Sequence, residues 1–243
     1  MSKSEAIDHL TAQIQRNQQI AGRVDQLDPE LANALEQLQA WQRRRLAETY
    51  RDLANQPEYQ LACAFFLDEL YGGRDVQSRD HQLARVVPVM RRFLPGHLLH
   101  AVGEAMRLQA ISLEFDLALA DLMRQVSSID QPAYAAAYRQ HEAWSSRLEQ
   151  IELIESLGRL LEQTVRKPMV RQLLKVMRRP AEMAGFGALH GFLERGMAAF
   201  GAMADTGYFL ATISQRERAA LEAMRAGDDW PFKPWIGQGP SGG

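Results

Sequence analysis

Apolar and polar positions alternate with a helical period along nearly the whole chain. Leu31, Leu35 and Leu38, then Leu46, Tyr50 and Leu53, recur three and four residues apart. That spacing stacks side chains on one helix face. The intervening positions are mostly Ala, Glu, Gln and Arg, which lose least on entering a helix. Strand-like alternation is hard to find, so the pattern predicts an all-α protein. Asp28-Pro29-Glu30 supplies a cap, a proline in the first turn and an early acid, and opens a helix to about Asn55. Pro57 opens the next, and Gly72-Gly73 should end it with a glycine in the left-handed conformation. Asp75 or Ser78 caps a fourth, which Pro88 should bend. Pro95-Gly96 opens a long helix to about Val126. A turn across Ser127 to Pro132 leads into another, Pro132 to about Arg166. Pro168 begins a short helix that Pro180 should break. From Ala181 to Ile213, glycine interleaved with alanine suggests a helix that approaches a neighbour closely, interrupted near Gly201 to Gly207. A last helix runs from about Thr212 to Ala226.

The predicted fold is a single antiparallel multi-helix domain. Its centre is a hairpin of the two long helices, because a short connection forces antiparallel neighbours. Three regions follow: a peripheral N-terminal helix (residues 1–27), a helical body (28–227) and an extended or disordered tail (228–243), which Trp230 and Trp235 would pin. The N-terminal helix carries a thin apolar stripe of Ile7, Leu10, Ile14 and Ile20. A helix of that length is marginal in water unless one face is covered. It should dock on the Asp28 helix or pair with a second copy of the chain, and the polar side of the Asp28 helix favours the second copy.

Composition narrows the function classes. The net charge of -2 gives no basic surplus for binding nucleic acid through bulk charge. The lone cysteine, Cys63, excludes an internal disulfide and any multi-cysteine metal site. Nothing resembles a signal peptide or a membrane span, so the expected compartment is the cytoplasm. No Walker loop, dinucleotide fingerprint or Gly-x-Ser-x-Gly elbow occurs.

Candidate chemistry sits in three places. Tyr71, Arg79 and Asp80 lie at a helix corner, where capping carboxylates and ion pairs give a structural reading and a polar pocket a functional one. On the Pro95 helix, Asp116 falls among apolar neighbours and should find an arginine, tyrosine or histidine partner. The opposite stripe, with His97, His100, Glu104, Arg107 and Glu114, reads as solvated. His97, His100 and Glu104 within it have spacings that metal sites use, although the Glu-x-x-His and His-Glu-x-x-His signatures are missing. On the next helix, Tyr134, Tyr138 and His141 share the apolar seam, where a core histidine competes with a ligand-contacting one.

The run FFLDELYGGRD, followed by Arg79-Asp80, Arg85, Pro88 and Leu94-Pro95, resembles a segment of uncharacterised all-helical bacterial proteins. The resemblance spans Phe65 to Pro95. It implies a bacterial cytosolic origin and no chemistry or cofactor. Two functions remain in view. One is a non-enzymatic helical protein acting through protein contacts as a homodimer. The other is a helical small-molecule- or metal-binding protein, with or without catalysis, whose polar site lies between the central helices.

Overall fold

The computed structural model describes residues 2–70, 95–183 and 187–238, with isolated positions 88 and 91. Every regular element among them is helical. The expected stop at Gly72-Gly73, the surroundings of Pro88, and Tyr71, Arg79, Asp80 and Arg85 lie outside the described residues.

Local chemistry sets the helix boundaries. α1 (Lys3–Val24) opens with a capping box, in which Ser2 and Glu5 each bond the other's backbone N–H. α2 (Pro29–Thr49) opens where the Asp28 carboxylate accepts from Leu31 N at 2.9 Å. The predicted helix to Asn55 is divided at Tyr50, and a short α3 (Arg51–Ala54) follows. α4 (Pro57–Phe65) continues as a π-helical turn, Phe66–Leu70. α5 (Gly96–Leu122) is the longest element. The return arm of the central hairpin is two helices rather than one: α6 (Gln131–His141) and α7 (Trp144–Val165). Glu142 separates them at φ 54°, the left-handed end that more often takes glycine or asparagine. α8 (Pro168–Met183) runs past Pro180; one missing N–H bond does not end a helix whose flanking turns remain paired. α9 (Gly187–Ala202) and α10 (Thr206–Arg225) meet at the predicted glycine-rich break, and Asp205 caps α10 by accepting from Tyr208 N. α11 (Lys233–Ile236) is a single turn in the tail.

Two apolar centres hold these helices. In the first, Trp41 of α2 lies 4.6 Å from Tyr134 of α6 and 6.2 Å from Phe232, centroid to centroid. Phe232 pins the tail more deeply than either tryptophan, with 1% of its surface exposed. Gln131 locks it there: its side chain accepts from Phe232 N and donates to the Gly237 carbonyl. In the second, Tyr50, Leu53, Tyr59, Phe200 and Phe209 join α2, α3, α4, α9 and α10. Gly196 explains part of the small-residue texture. A Cβ there would stand 3.0 Å from the Phe65 ring, so glycine lets α9 lie close to α4.

The placement of α1 departs from the sequence expectation. It runs along α5 rather than docking on α2. Lys3 lies beside Gly96, and Arg16 reaches Glu114 one helix length later, so the two helices are parallel. Ala6, Leu10 and Ile14 bury against Leu99 and Met106, and Ile20 enters the main core. Four buried side chains contribute roughly 1.5–3 kcal/mol each at most, and polar bonds along both edges supplement them. Asn17, 3% exposed, donates to the Met106 carbonyl at 2.8 Å.

Candidate metal centre

The stripe of α5 that reads as solvated is the edge α1 covers. His9 of α1 stands over His100 and Glu104 of α5. One ligand atom from each of the three lies within 4.8 Å of the others. The imidazole centroids are 5.2 Å apart, and His9 Nε2 is 2.7 Å from Glu104 Oε1. That distance is an ion pair's, although the alignment is not that of a hydrogen bond. His100 Nδ1 is buried and unpartnered. Buried ring nitrogens are ordinarily paired, and either a proton on His9 or a cation shared with His100 and Glu104 would satisfy this cluster.

A divalent ion fits that need. Zinc binds imidazole nitrogen at about 2.0–2.1 Å and carboxylate oxygen at about 2.0–2.2 Å. Ligand atoms around it then stand roughly 3.3 Å apart in a tetrahedron. Two further residues shape the centre. Arg107 Nη1 lies 3.4 Å from the second Glu104 oxygen, and Arg107 is itself tied to Glu149. Gly103 makes room for the His9 ring, because a Cβ there would lie 2.5 Å from His9 Cδ2. His9 and Glu104 retain partial exposure, at 24% and 17% of their side chains. That exposure would let solvent reach an ion held there, as at metal sites with three protein ligands.

A second polar centre lies where α2, α5, α6 and α7 meet. The Asp116 carboxylate accepts from Gln42 Nε2 at 3.1 Å and Gln39 Nε2 at 3.3 Å. Its partners are neutral amides rather than the arginine, tyrosine or histidine expected. Burial raises its pKa above the usual carboxylate range, while Arg147 and the two glutamines act in the opposite direction. Arg147 is itself buried, with its guanidinium 3.7 Å from the Phe115 ring centre and 4.5 Å from that of Tyr138. His141 stands edge-on to Phe115. Burial first, and then Arg147, depresses its pKa below the ordinary imidazole value.

The chain matches the model of a Domain of unknown function (DUF8198) over residues 6–231. It belongs to the DUF8198 family. No curated protein and no solved structure matches it. The match covers both polar centres of this DUF8198 chain, and no helix among the described residues is long and apolar enough to cross a membrane.

The sequence candidates are only partly brought together. Tyr134, Tyr138 and His141 do gather near Asp116, around Phe115 and Arg147. A cavity of about 30 Å³ beside them is lined by Tyr134 and Tyr138 but not by Asp116 or His141. A wider cleft of about 230 Å³, lined by Glu162, Met197 and Met203 among others, lies away from all four. Both are smaller than typical small-molecule sites. Of the metal candidates, His100 and Glu104 belong to the cluster and His97 does not; His9 takes its place. A signal for His9 existed, since His9 and Arg16 sit seven apart on α1 as complements to Glu104 and Glu114 on α5. It becomes legible only once the helices are known to be parallel.

Proposed function

We propose that this DUF8198 protein is a helical metal-binding protein that holds one divalent first-row transition ion between α1 and α5. His9, His100 and Glu104 are its ligands, and Arg107 positions the glutamate. The observation that carries the reading is the convergence of two imidazoles and a carboxylate from two helices, one ligand atom of each lying within 4.8 Å of the others. Two nitrogens and one oxygen suit zinc, and equally other late first-row ions, whose choice follows availability more than intrinsic affinity. Three protein ligands leave a position for water, which is compatible with catalysis by metal-bound hydroxide. This reading does not draw on self-association, since the α1 stripe that suggested it packs on α5 within the chain.

Calorimetric titration of the metal-stripped protein with Zn²⁺ tests the assignment. We expect one equivalent to bind to the wild type, and His9→Ala, His100→Ala and Glu104→Gln each to weaken binding at least tenfold. His97→Ala should bind as the wild type does. Full binding by His9→Ala, or its loss in His97→Ala, would overturn the ligand set.

A further inference from the structure

Charge is spread unevenly along the chain. Between Glu162 and Glu182 stand Arg166, Lys167, Arg171, Lys175, Arg178 and Arg179, with no acid among them. Counting both flanking glutamates, the stretch holds a surplus of four positive charges in a chain whose net charge is -2. Two of the arginines are offset locally: Arg166 donates to Glu162 at 2.7 Å and Arg178 to Glu182 at 3.3 Å. Lys167, Lys175 and Arg179 are exposed.

α8 lies inside this stretch and packs through one edge. At 100° per residue, Val170, Leu174 and Ala181 fall within about 40° of one another. That edge is half-buried, and His190 Nε2 of α9 donates to the Leu174 carbonyl at 2.8 Å. Val176 and Met183 fall about 150° away on the helix. They are 66% and 90% exposed, the two most exposed large apolar side chains among the described residues. Lys175, Gln172 and Arg179 share their side of α8, all five positions lying within an arc of about 100°.

An exposed apolar edge bordered by lysine and arginine is the pattern of a helix that lies in a membrane interface. Its apolar side chains enter the acyl boundary, and its basic ones meet anionic headgroups. Other anionic partners fit this edge less well. Nucleic acid would meet the charge but leave Val176 and Met183 in water, and the stretch has no aromatic side chain on which bases could stack. A protein groove that takes an amphipathic helix grips its whole apolar face, and α9 already holds one edge of that face. A bilayer surface is flat and takes the exposed edge alone.

We propose that α8 docks the protein on an anionic bilayer surface, with Val176 and Met183 at the headgroup boundary and Lys175 and Arg179 on the lipid phosphates. At 16 residues α8 lies on the membrane and does not cross it. None of these residues belongs to the metal centre.

Co-sedimentation of the full chain with lipid vesicles tests the proposal. Phosphatidylcholine vesicles containing about 30% phosphatidylserine should pellet the protein, less so as salt rises, and pure phosphatidylcholine should not. Lys175→Gln combined with Arg179→Gln should weaken this partition about 30-fold, roughly fivefold for each basic side chain near the surface. Val176→Ser combined with Met183→Ser should weaken it at least tenfold, a loss that attraction by charge alone would not show. Arg44→Gln combined with Arg225→Gln removes the same charge elsewhere and should bind as the wild type does. Every side chain changed is exposed, so these variants keep the fold. No pelleting with the anionic vesicles, unchanged binding by either α8 variant, or binding of single-stranded DNA but not of vesicles would overturn the proposal.

Discussion

Asp116 shows how a single half-buried carboxyl couples to pH. Its pKa is raised in the folded chain because burial disfavours the charged form more than its neighbours favour it. Such a group binds its proton more tightly folded than unfolded. Its stabilising contribution is therefore present below its unfolded pKa, near 3.9, and is lost as pH rises through the folded value. Asp116→Asn removes that loss. Gln42 Oε1 is buried without a hydrogen-bond partner, so it can accept from the new amide while the asparagine oxygen keeps one glutamine donor. We predict that Asp116→Asn is at least as stable as the wild type at neutral pH, and that its advantage shrinks toward pH 4 in urea denaturation. Asp116→Ala instead strands the glutamine donors and should cost about 1–3 kcal/mol. At the metal centre, the corresponding residue is Gly103. Its missing Cβ is the space His9 occupies, so Gly103→Ala should displace the imidazole and weaken Zn²⁺ binding roughly 10- to 100-fold, as disturbing a ligand's support does elsewhere. Calorimetry on the folded variant checks this.

Among the elements, α1 matters most, because it carries one of the proposed ligands and covers the other two. Leu10 is fully buried between α1 and α5. Leu10→Ala should cost about 2–5 kcal/mol in chemical denaturation and lower metal affinity as well, since it loosens the helix that holds His9. The helices themselves were largely legible in the sequence. Period, caps at Asp28 and Asp130, and prolines at first turns are local signals, and the structure keeps them. Helix partners were not legible. The polar stripe of α5 looks solvated on a helical projection because a projection contains no second helix. Arg16, His9 and Asn17 turn it into an interface. The break at Glu142 was also hidden, since a left-handed glutamate has no composition signal of the kind glycine gives. The Asp116 partners were missed because Gln42 reads as part of the polar side of the Asp28 helix.

At the scale of the whole molecule, the proposed metal would clasp the N-terminal helix to α5. A ligand that binds the folded state alone stabilises it by RT ln(1 + [L]/Kd), about 2.7 kcal/mol at a free concentration one hundred times Kd. Unfolding should therefore shift to higher temperature with Zn²⁺ in the wild type and in His97→Ala, and not in His9→Ala or Glu104→Gln. The most direct test of the central claim is a crystal of the zinc-loaded full chain, measured on both sides of the zinc absorption edge. The account predicts one anomalous peak per chain, about 2.0–2.2 Å from a nitrogen of His9, a nitrogen of His100 and an oxygen of Glu104. A peak bound to His97 without His9, or no peak between α1 and α5, would contradict it.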